Sequence, residues 1–291
     1  MRSQRWAPPP MGGYRPMIVN VAMTGAVPSR TDNPTVPLTP AEIVDDVLAC
    51  AAAGASVFHV HVRDDDGEPV HRRDLYEQVF GPIRDKAPEL VLCATTSSRV
   101  DPSPEARVAG LRLDPTLRPD LASLTLGSFN FPTTVSNNPP AAIVELLEIM
   151  AELGIRPELE IFELGMANTL HVLAARGLIP DPPVVNILLG SNGAAPAFVG
   201  DLAHIVDRLP DDAEWAAAGV GIFQRPMVIA AAIMDGNVRT GLEDNPRGPV
   251  GTSGWSNLRA VEEAVAAAQL ARRTIATAAE TRARVGLEPG A

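Results

Sequence analysis

Met17-Ile18-Val19-Asn20-Val21-Ala22-Met23, then Thr39-Pro40-Ala41-Glu42 opening a run that ends at Gly54, then Ser56-Val57-Phe58-His59-Val60-His61-Val62-Arg63: this succession decides the fold. The first and last stretches are apolar, rich in β-branched residues, and read as strands. The middle one reads as a helix. Thr39 can cap it, Pro40 suits the first helical position, Glu42 stands at the capping-box position, and Gly54 ends the run. The same alternation continues along the chain. A helix is expected at Asp74–Lys86, followed by Leu90–Thr96 with Pro104–Leu113, Leu121–Leu126 with Pro140–Leu153, and Glu158–Leu164 with Met166–Arg176. Val184–Leu189 with Ala197–Arg208, Trp215–Val220 with Pro226–Met234, and Val238–Leu242 with Asn257–Arg273 complete the series.

Strands joined by helices imply a parallel sheet, and eight such units imply a closed (β/α)₈ barrel in a single α/β domain. An open doubly wound sheet is the alternative. Against it, no GxGxxG follows the first strand and no GxxxxGK[ST] loop occurs. Residues 1–16 read as a Pro/Gly-rich tail that could lie over a neighbouring subunit. Residues 17–291 hold the barrel, with the part after Ala276 as a C-terminal helical extension.

The 291 residues carry 24 Lys+Arg and 35 Asp+Glu, a formal net charge of −11, which argues against a nucleic-acid-binding surface. With 46% hydrophobic and 20% charged residues the chain can bury a large core. No apolar run is long enough to span a bilayer, so no membrane role is expected. Cys50 and Cys93 form no CxxC pair, and the first residues lack the apolar core of a signal peptide; a reducing cytoplasm is the expected compartment.

In such a barrel chemistry sits where strands end. Strand side chains alternate, so His59 and His61 share a face near the end of the second strand. They could bite one metal ion, or be hydrogen-bonded core histidines. The eighth strand runs through Arg239 into Glu243-Asp244-Asn245. Even-numbered strands share a layer inside the barrel, so Glu243 could reach an ion held by the two histidines; the same triplet could instead cap the next helix. Two His and one carboxylate suit Zn²⁺ as a Lewis acid, although Fe²⁺ and Mn²⁺ use similar ligands. Arg239, if interior, needs a carboxylate, and Asp244 is the nearest in sequence. A carboxylate so held could remove a proton α to a carbonyl, or the pair could be a structural salt bridge. Hydroxyls of Thr95, Thr96, Ser97, Ser98, Ser123 and Thr125 mark strand ends three and four; they could serve as turns and caps. Glu158 and Glu160 share a face of strand five.

Met23-Thr24-Gly25-Ala26, Leu38-Thr39-Pro40-Ala41-Glu42-Ile43, Ala53 to Asp64, Leu126-Gly127-Ser128-Phe129-Asn130-Phe131, Pro157 to Glu163, and Val238 to Asn245 together resemble the β-keto acid cleavage enzymes. HxHxRD combined with RxGxEDN is far more specific than either motif alone, and the resemblance runs from about Met17 to Leu287. It implies a zinc-dependent (β/α)₈ barrel, usually a homotetramer, that converts a β-keto acid plus acetyl-CoA into acetoacetate and a new acyl-CoA. Carried over, His59, His61 and Glu243 would hold Zn²⁺, Arg239 and Asp244 would form the deprotonating dyad, and Thr95 falls where a catalytic serine is common. Thr96, Ser97, Ser123, Thr125, Glu160 and Val27 are the expected substrate contacts.

This chain departs from that pattern at several positions. Val27 replaces a glutamate, which implies a substrate whose distal end is not cationic. The usual STGG becomes Thr95-Thr96-Ser97-Ser98, with Arg99 next, and Thr125 replaces a common asparagine. Two other readings stand beside this one: a metal-dependent C–C lyase or hydrolase that uses no CoA, and a metal-stabilised binding protein without turnover.

Overall fold

A computed structural model describes residues 13–288. Eight parallel strands close into a barrel: β1 Val19–Ala22, β2 Val57–Val60, β3 Val91–Ala94, β4 Leu121–Thr125, β5 Arg156–Ile161, β6 Val184–Leu189, β7 Glu214–Gly219 and β8 Asn237–Thr240. The helices that follow them in turn are α1 Pro40–Ala52, α2 Arg73–Lys86, α3 Pro104–Arg107, α4 Pro140–Leu153, α5 Leu164–Ala175, α6 Val199–Val206, α7 Gln224–Ile233 and α8 Asn257–Leu270, with α9 Ala278–Arg284 last. The single-domain (β/α)₈ architecture expected from the repeat is the one observed. Its first helix starts as read. The Thr39 hydroxyl accepts from the Glu42 amide and the Glu42 carboxylate accepts from the Thr39 amide, and those bonds draw the Glu42 pKa down to about 2 against a burial effect that would raise it.

Strand register sorts the side chains into an outer and an inner set. Ala22 lies level with His59, His59 with Cys93, Ser123 with Glu158, Thr125 with Glu160, and Asn20 with Arg239. Level residues of a parallel pair face the same side. The outer set, Val19, Val21, Phe58, Val60 and Leu92 among it, packs beneath the helices in the main core. At the N-terminal end of the strands, Ile18, Val57, Val91, Leu121 and Val184 close the inside with an apolar layer. Above that layer the interior turns polar, which is the side where the strand-end loops converge.

Several boundaries differ from the sequence reading. The second strand breaks after Val60, and Val62–Arg63 pairs instead with Pro69–Val70 in a two-stranded turn of its own. The helix expected at Pro104–Leu113 stops at Arg107, and the chain then turns so that Gly110 lies against the Tyr76 ring, where a Cβ would come within 2.6 Å of it. A helix continuing past Arg107 would put side chains into that contact.

The C-terminal extension is not an appendage. Val285 joins the apolar layer at the barrel floor, the Arg284 guanidinium meets Glu214 at 2.6 Å, and Arg282 meets Asp120 at 2.8 Å. Residues 13–16 are likewise part of the body, since Arg15 pairs with Glu214 at 2.7 Å and its carbonyl accepts from Arg273. The rest of the expected tail, residues 1–12, lies outside the described residues. Among the described residues no helix is long and apolar enough to cross a membrane.

Because Val285 plugs the floor, Val285→Ala removes two buried methyl groups where nothing can collapse to replace them. We expect about 2 kcal/mol less unfolding free energy, read as a lower urea midpoint at unchanged slope.

Candidate active site

His59 is the penultimate residue of β2 and His61 follows the break, and both imidazoles are buried with centroids 5.1 Å apart. The third member comes from the turn after β8. Glu243 Oε2 stands 3.5 Å from His59 Nε2, and Oε1 stands 3.6 Å from His61 Nε2. These separations are long for hydrogen bonds. Ligand atoms around a four-coordinate ion with bonds of about 2.1 Å stand roughly 3.4 Å from one another. Glu243 Oε2 is buried without a hydrogen-bond partner among the described residues. Two imidazole nitrogens and an orphaned carboxylate oxygen, spaced in this way, fit a divalent ion such as Zn²⁺, and Glu243 remains 13% exposed toward the mouth.

Local sequence explains how Glu243 gets there. Gly25 has φ +68°, and a Cβ on it would sit 2.5 Å from Glu243 Cγ, so the glycine of Met23-Thr24-Gly25-Ala26 makes room for the carboxylate side chain. Gly241 turns the chain at φ +133° with the Ala22 carbonyl only 2.3 Å from where its Cβ would be. The turn is clamped from two sides. The Leu242 amide donates to Asn257 Oδ1, Asn257 Nδ2 donates to the Met23 carbonyl and to Asp46, and Gln224 Nε2 donates to the Gly241 carbonyl.

Arg239 is 1% exposed and lies beneath this turn. Its Nε and Nη2 donate to the two oxygens of Asp244 at 3.1 and 3.2 Å, a bidentate pair, and Nη2 also donates to Glu243 Oε1 at 3.1 Å. Nη1 is 3.6 Å from Glu160 Oε1. The neighbouring carboxylates have different environments. Burial raises the Asp244 pKa and the Glu243 charge adds to that, with Arg239 opposing. For Glu243, burial is overcome by His61, His59 and Arg239, and its pKa falls well below the usual range. Burial lowers the His61 pKa to about 4, leaving a neutral imidazole. At His59 burial also favours the neutral ring, but the carboxylates of Glu243 and Glu158 outweigh it and raise the pKa. That ring sits in a pocket that demands a positive charge.

The interior residues below this level were not assigned a role from sequence. Glu158 Oε2 is 3.6 Å from His59 Nδ1, and Glu158 accepts from Asn20 Nδ2 at 2.7 Å and from the Cys93 thiol. Glu158 is thus the partner that would orient His59 from behind. Its parity with Glu160 was readable, but only the closed barrel brings β5 opposite β2. His59, Cys93 and Glu158 form a second set of potential ligands. It is the poorer one, because burial and the Glu158 charge push the Cys93 thiol well above its ordinary pKa and keep it protonated.

The expected substrate contacts divide. Glu160 accepts from the Thr125 hydroxyl at 2.7 Å and lies beside Arg239, so both reach the site. Thr96 and Ser123 hold each other, the Thr96 hydroxyl donating to the Ser123 carbonyl and the Ser123 hydroxyl accepting from the Thr96 amide. Thr95 Oγ1 accepts from the Ser97 amide at 3.2 Å, and the Ser97 carbonyl faces His71 Nε2. Val27 is 70% exposed on a loop whose carbonyls at Gly25 and Pro28 are tied to Arg63. A separate cavity of about 360 Å³ opens on the outer surface between α7 and α8, walled by Val228, Ile229, Ile233 and Leu270. Its charged groups, Arg225 and Glu263, pair with each other. It lacks the converging donors of the barrel mouth.

Comparison with known proteins agrees with this geometry. Residues 16–287 match the family model for beta-keto acid cleavage enzyme. The chain is 38% identical over 276 residues to a 3-oxoadipate:acetyl-CoA acetyltransferase of Cupriavidus necator, covering 94% of this chain and 95% of the relative. It is 33% identical over 272 residues to a 3-keto-5-aminohexanoate cleavage enzyme of Acetoanaerobium sticklandii, covering 93% and 98%. Among solved structures, the apo structure of ObcA superposes with a TM-score of 0.79 at 20% identity, covering 89% of this chain and 66% of ObcA, so this chain spans just under two thirds of ObcA's length. That likeness is one of fold.

If the donor set is a metal site, His61→Ala and Glu243→Ala should lose bound metal on dialysis, measured by elemental analysis. Gly25→Ala, which displaces Glu243, should weaken metal binding at least about ten-fold in chelator competition. Undiminished metal in both His59→Ala and His61→Ala proteins would show the assignment to be wrong.

Proposed function

Because the chain belongs to the β-keto acid cleavage enzyme family, we propose that it is a zinc-dependent transferase that exchanges acyl groups between a β-keto acid and acetyl-CoA. The overall reaction is R–CO–CH₂–COO⁻ plus CH₃–CO–SCoA giving R–CO–SCoA plus CH₃–CO–CH₂–COO⁻, that is, a new acyl-CoA and acetoacetate. The observation that carries this reading is the convergence of His59, His61 and Glu243 with the Arg239–Asp244 pair at one end of the barrel. His59, His61 and Glu243 would hold Zn²⁺, which when bound supplies a Lewis acid for the oxygens of a keto acid.

The chain's own residues supply the proton chemistry. Asp244 is the base for the C2 proton of the keto acid, which lies between two carbonyl carbons and is therefore acidic. Arg239 fixes that carboxylate through two hydrogen bonds, so the oxygens keep one orientation while their remaining lone pairs stay available. The raised Asp244 pKa makes it a stronger base than an exposed aspartate. Thr95 would act on the acyl-transfer side: its oxygen already accepts from the Ser97 amide, which leaves the hydroxyl proton to donate to a thioester or keto oxygen. Thr125 and Glu160 line the approach to Arg239. Val27 supplies no charge for a cationic distal group. A reducing, cytoplasmic setting suits the two buried free cysteines, and association into a homo-oligomer is part of the same proposal.

Metal-loaded protein mixed with acetyl-CoA and a panel of β-keto acids should yield acetoacetate and the matching acyl-CoA by mass spectrometry. Amino- and trimethylammonium-bearing acids should be the poorer substrates. Asp244→Asn should retain metal yet lower kcat at least about 10³-fold, the scale of losing a general base. Intact metal with no CoA product from any acid would favour a CoA-independent lyase or a binding protein.

A further inference from the structure

Arg99 stands in the loop that follows β3, at the same end of the barrel as the metal-type donors, and is half-buried there. Its guanidinium carbon lies 3.9 Å above the centre of the Phe131 ring. That ring is itself fixed, since Phe129 stacks on Phe162 at 4.2 Å and Phe131 meets both, at 4.5 and 5.7 Å. The carboxylates of Glu243 and Glu160 favour the charged form of Arg99. Burial opposes holding a cation here and lowers the Arg99 pKa.

The loop is built to present this side chain. Ser97 Oγ accepts from the Arg99 amide, Ser98 Oγ accepts from the Asn137 amide at 2.9 Å, and the Thr96 carbonyl accepts from Arg107 at 2.8 Å. The hydroxyls of Thr95-Thr96-Ser97-Ser98 thus stitch backbone together where glycines would leave it loose. The other arginines of this region each hold protein acceptors, Arg239 those of Asp244 and Glu243, Arg63 the carbonyls of Gly25, Pro28 and Gly67, and Arg107 those of Thr96 and Asn138, with Arg239 Nη1 and Arg63 Nε left without one among the described residues. Among the described residues the Arg99 guanidinium has no carboxylate within ion-pair distance and no hydrogen-bond acceptor. A cation that is partly desolvated, held flat on an aromatic wall and left with its fork of donors free is arranged for an anion that arrives with a ligand.

We propose that Arg99 is the specificity-determining residue for a second, distal carboxylate on the keto acid, so that the preferred substrates are β-keto dicarboxylates. This rests on the transferase reading above. The substrate's own β-keto carboxylate belongs with the donor set of His59, His61 and Glu243; the partly buried Phe131 ring, backed by the core residues Phe129 and Phe162, holds the guanidinium flat; and one planar guanidinium matches one carboxylate in bidentate fashion. A phosphate-rich CoA tail would call for a cluster of cations, and Arg99 is a single charge facing two glutamates.

The test compares 3-oxoadipate with 3-oxohexanoate, which has the same chain length and an uncharged end, in wild type, Arg99→Gln and Arg99→Lys. Wild type should favour the dicarboxylate in kcat/KM. Arg99→Gln should lower kcat/KM for 3-oxoadipate about 10- to 100-fold, chiefly through KM, as expected for loss of one charge-assisted pair. The same change should leave 3-oxohexanoate and the KM for acetyl-CoA within about two-fold, and Arg99→Lys should recover part of the loss. Equal losses on both acids, or a raised KM for acetyl-CoA instead, would overturn the proposal. Turnover of 3-oxohexanoate but not 3-oxoadipate by wild type would overturn it while the transferase reading stands. If neither acid gives acyl-CoA, the transferase reading fails, and calorimetric binding of 3-oxoadipate alone decides the subsite: binding weakened by Arg99→Gln supports it, and unchanged binding rejects it.

Discussion

The buried guanidinium of Arg239 is the interaction on which the arrangement at the barrel mouth depends. Glu158, Glu160, Glu243 and Asp244 all project into the interior, and among the described residues Arg239 is the one fixed cation that pairs with any of them there. Four carboxylates against one guanidinium would leave three negative charges in excess in a largely buried space, a situation that folded proteins avoid by binding protons or cations. Proton binding is the response that the local electrostatics favour. Glu160 and Asp244 have raised pKa values because of burial, and His59 is driven toward its charged form by Glu243 and Glu158 against its own burial. A divalent ion between His59, His61 and Glu243 would meet the same demand with a single charge centre. The metal-type geometry is therefore tied to the electrostatics of the whole interior, in which Arg239 anchors one side and the histidines the other.

The fold was legible because its units are local. The Thr39 capping box, the prolines that begin α3 and α4, and the glycine after α4 are read from neighbours along the chain. The errors arose where tertiary contacts overrule local pattern. Val62 and Arg63 continue a strand-like sequence but leave the barrel because Arg63 is drawn to the carbonyls of Gly25 and Pro28. The helix after Pro104 is cut short where the chain must pass the Tyr76 ring. The extension at Thr277–Leu287 looked peripheral because nothing in its own sequence says that Val285 and Arg284 complete a floor formed by residues far away in the chain.

The candidate site divides along the same line. His59 and His61 were found through the two-residue period of a strand, and Asp244 was tied to Arg239 through proximity in sequence. The relation of Glu243 to the histidines needed the added knowledge that strands two and eight share a layer. Glu158, Cys93 and Asn20 were missed as a group, since each is ordinary on its own strand and they meet only across the closed barrel. The strand-three hydroxyls were open to two readings, chemistry or turns and caps. Read as chemistry, Thr96, Ser97 and Ser98 look like a row of donors; in place, each hydroxyl completes a backbone hydrogen bond. Thr95 accepts from the Ser97 amide in the same way, and of the four only Thr96 has an acceptor for its hydroxyl proton among the described residues.

A chain with net charge −11 must gather positive potential locally if it is to bind anions such as keto acids and CoA thioesters. Arg239 cannot be its source. The guanidinium is paired with Asp244 and Glu243 and faces Glu160 besides, so its immediate surroundings are net negative. Positive potential at the mouth would then come from elsewhere: a divalent ion on the histidine side, which would convert an anion-repelling pocket into one that accepts a carboxylate, and Arg99 on the Phe131 ring, whose donors no side chain among the described residues competes for. On this reading the two features do different work. The metal-type donors would hold the reacting end that every β-keto acid shares, while the loop of Thr95 to Arg99 would discriminate at the other end. The loss of flexible glycines in that loop then has a physical purpose, because a guanidinium can discriminate between substrates only if its position is fixed before the substrate arrives.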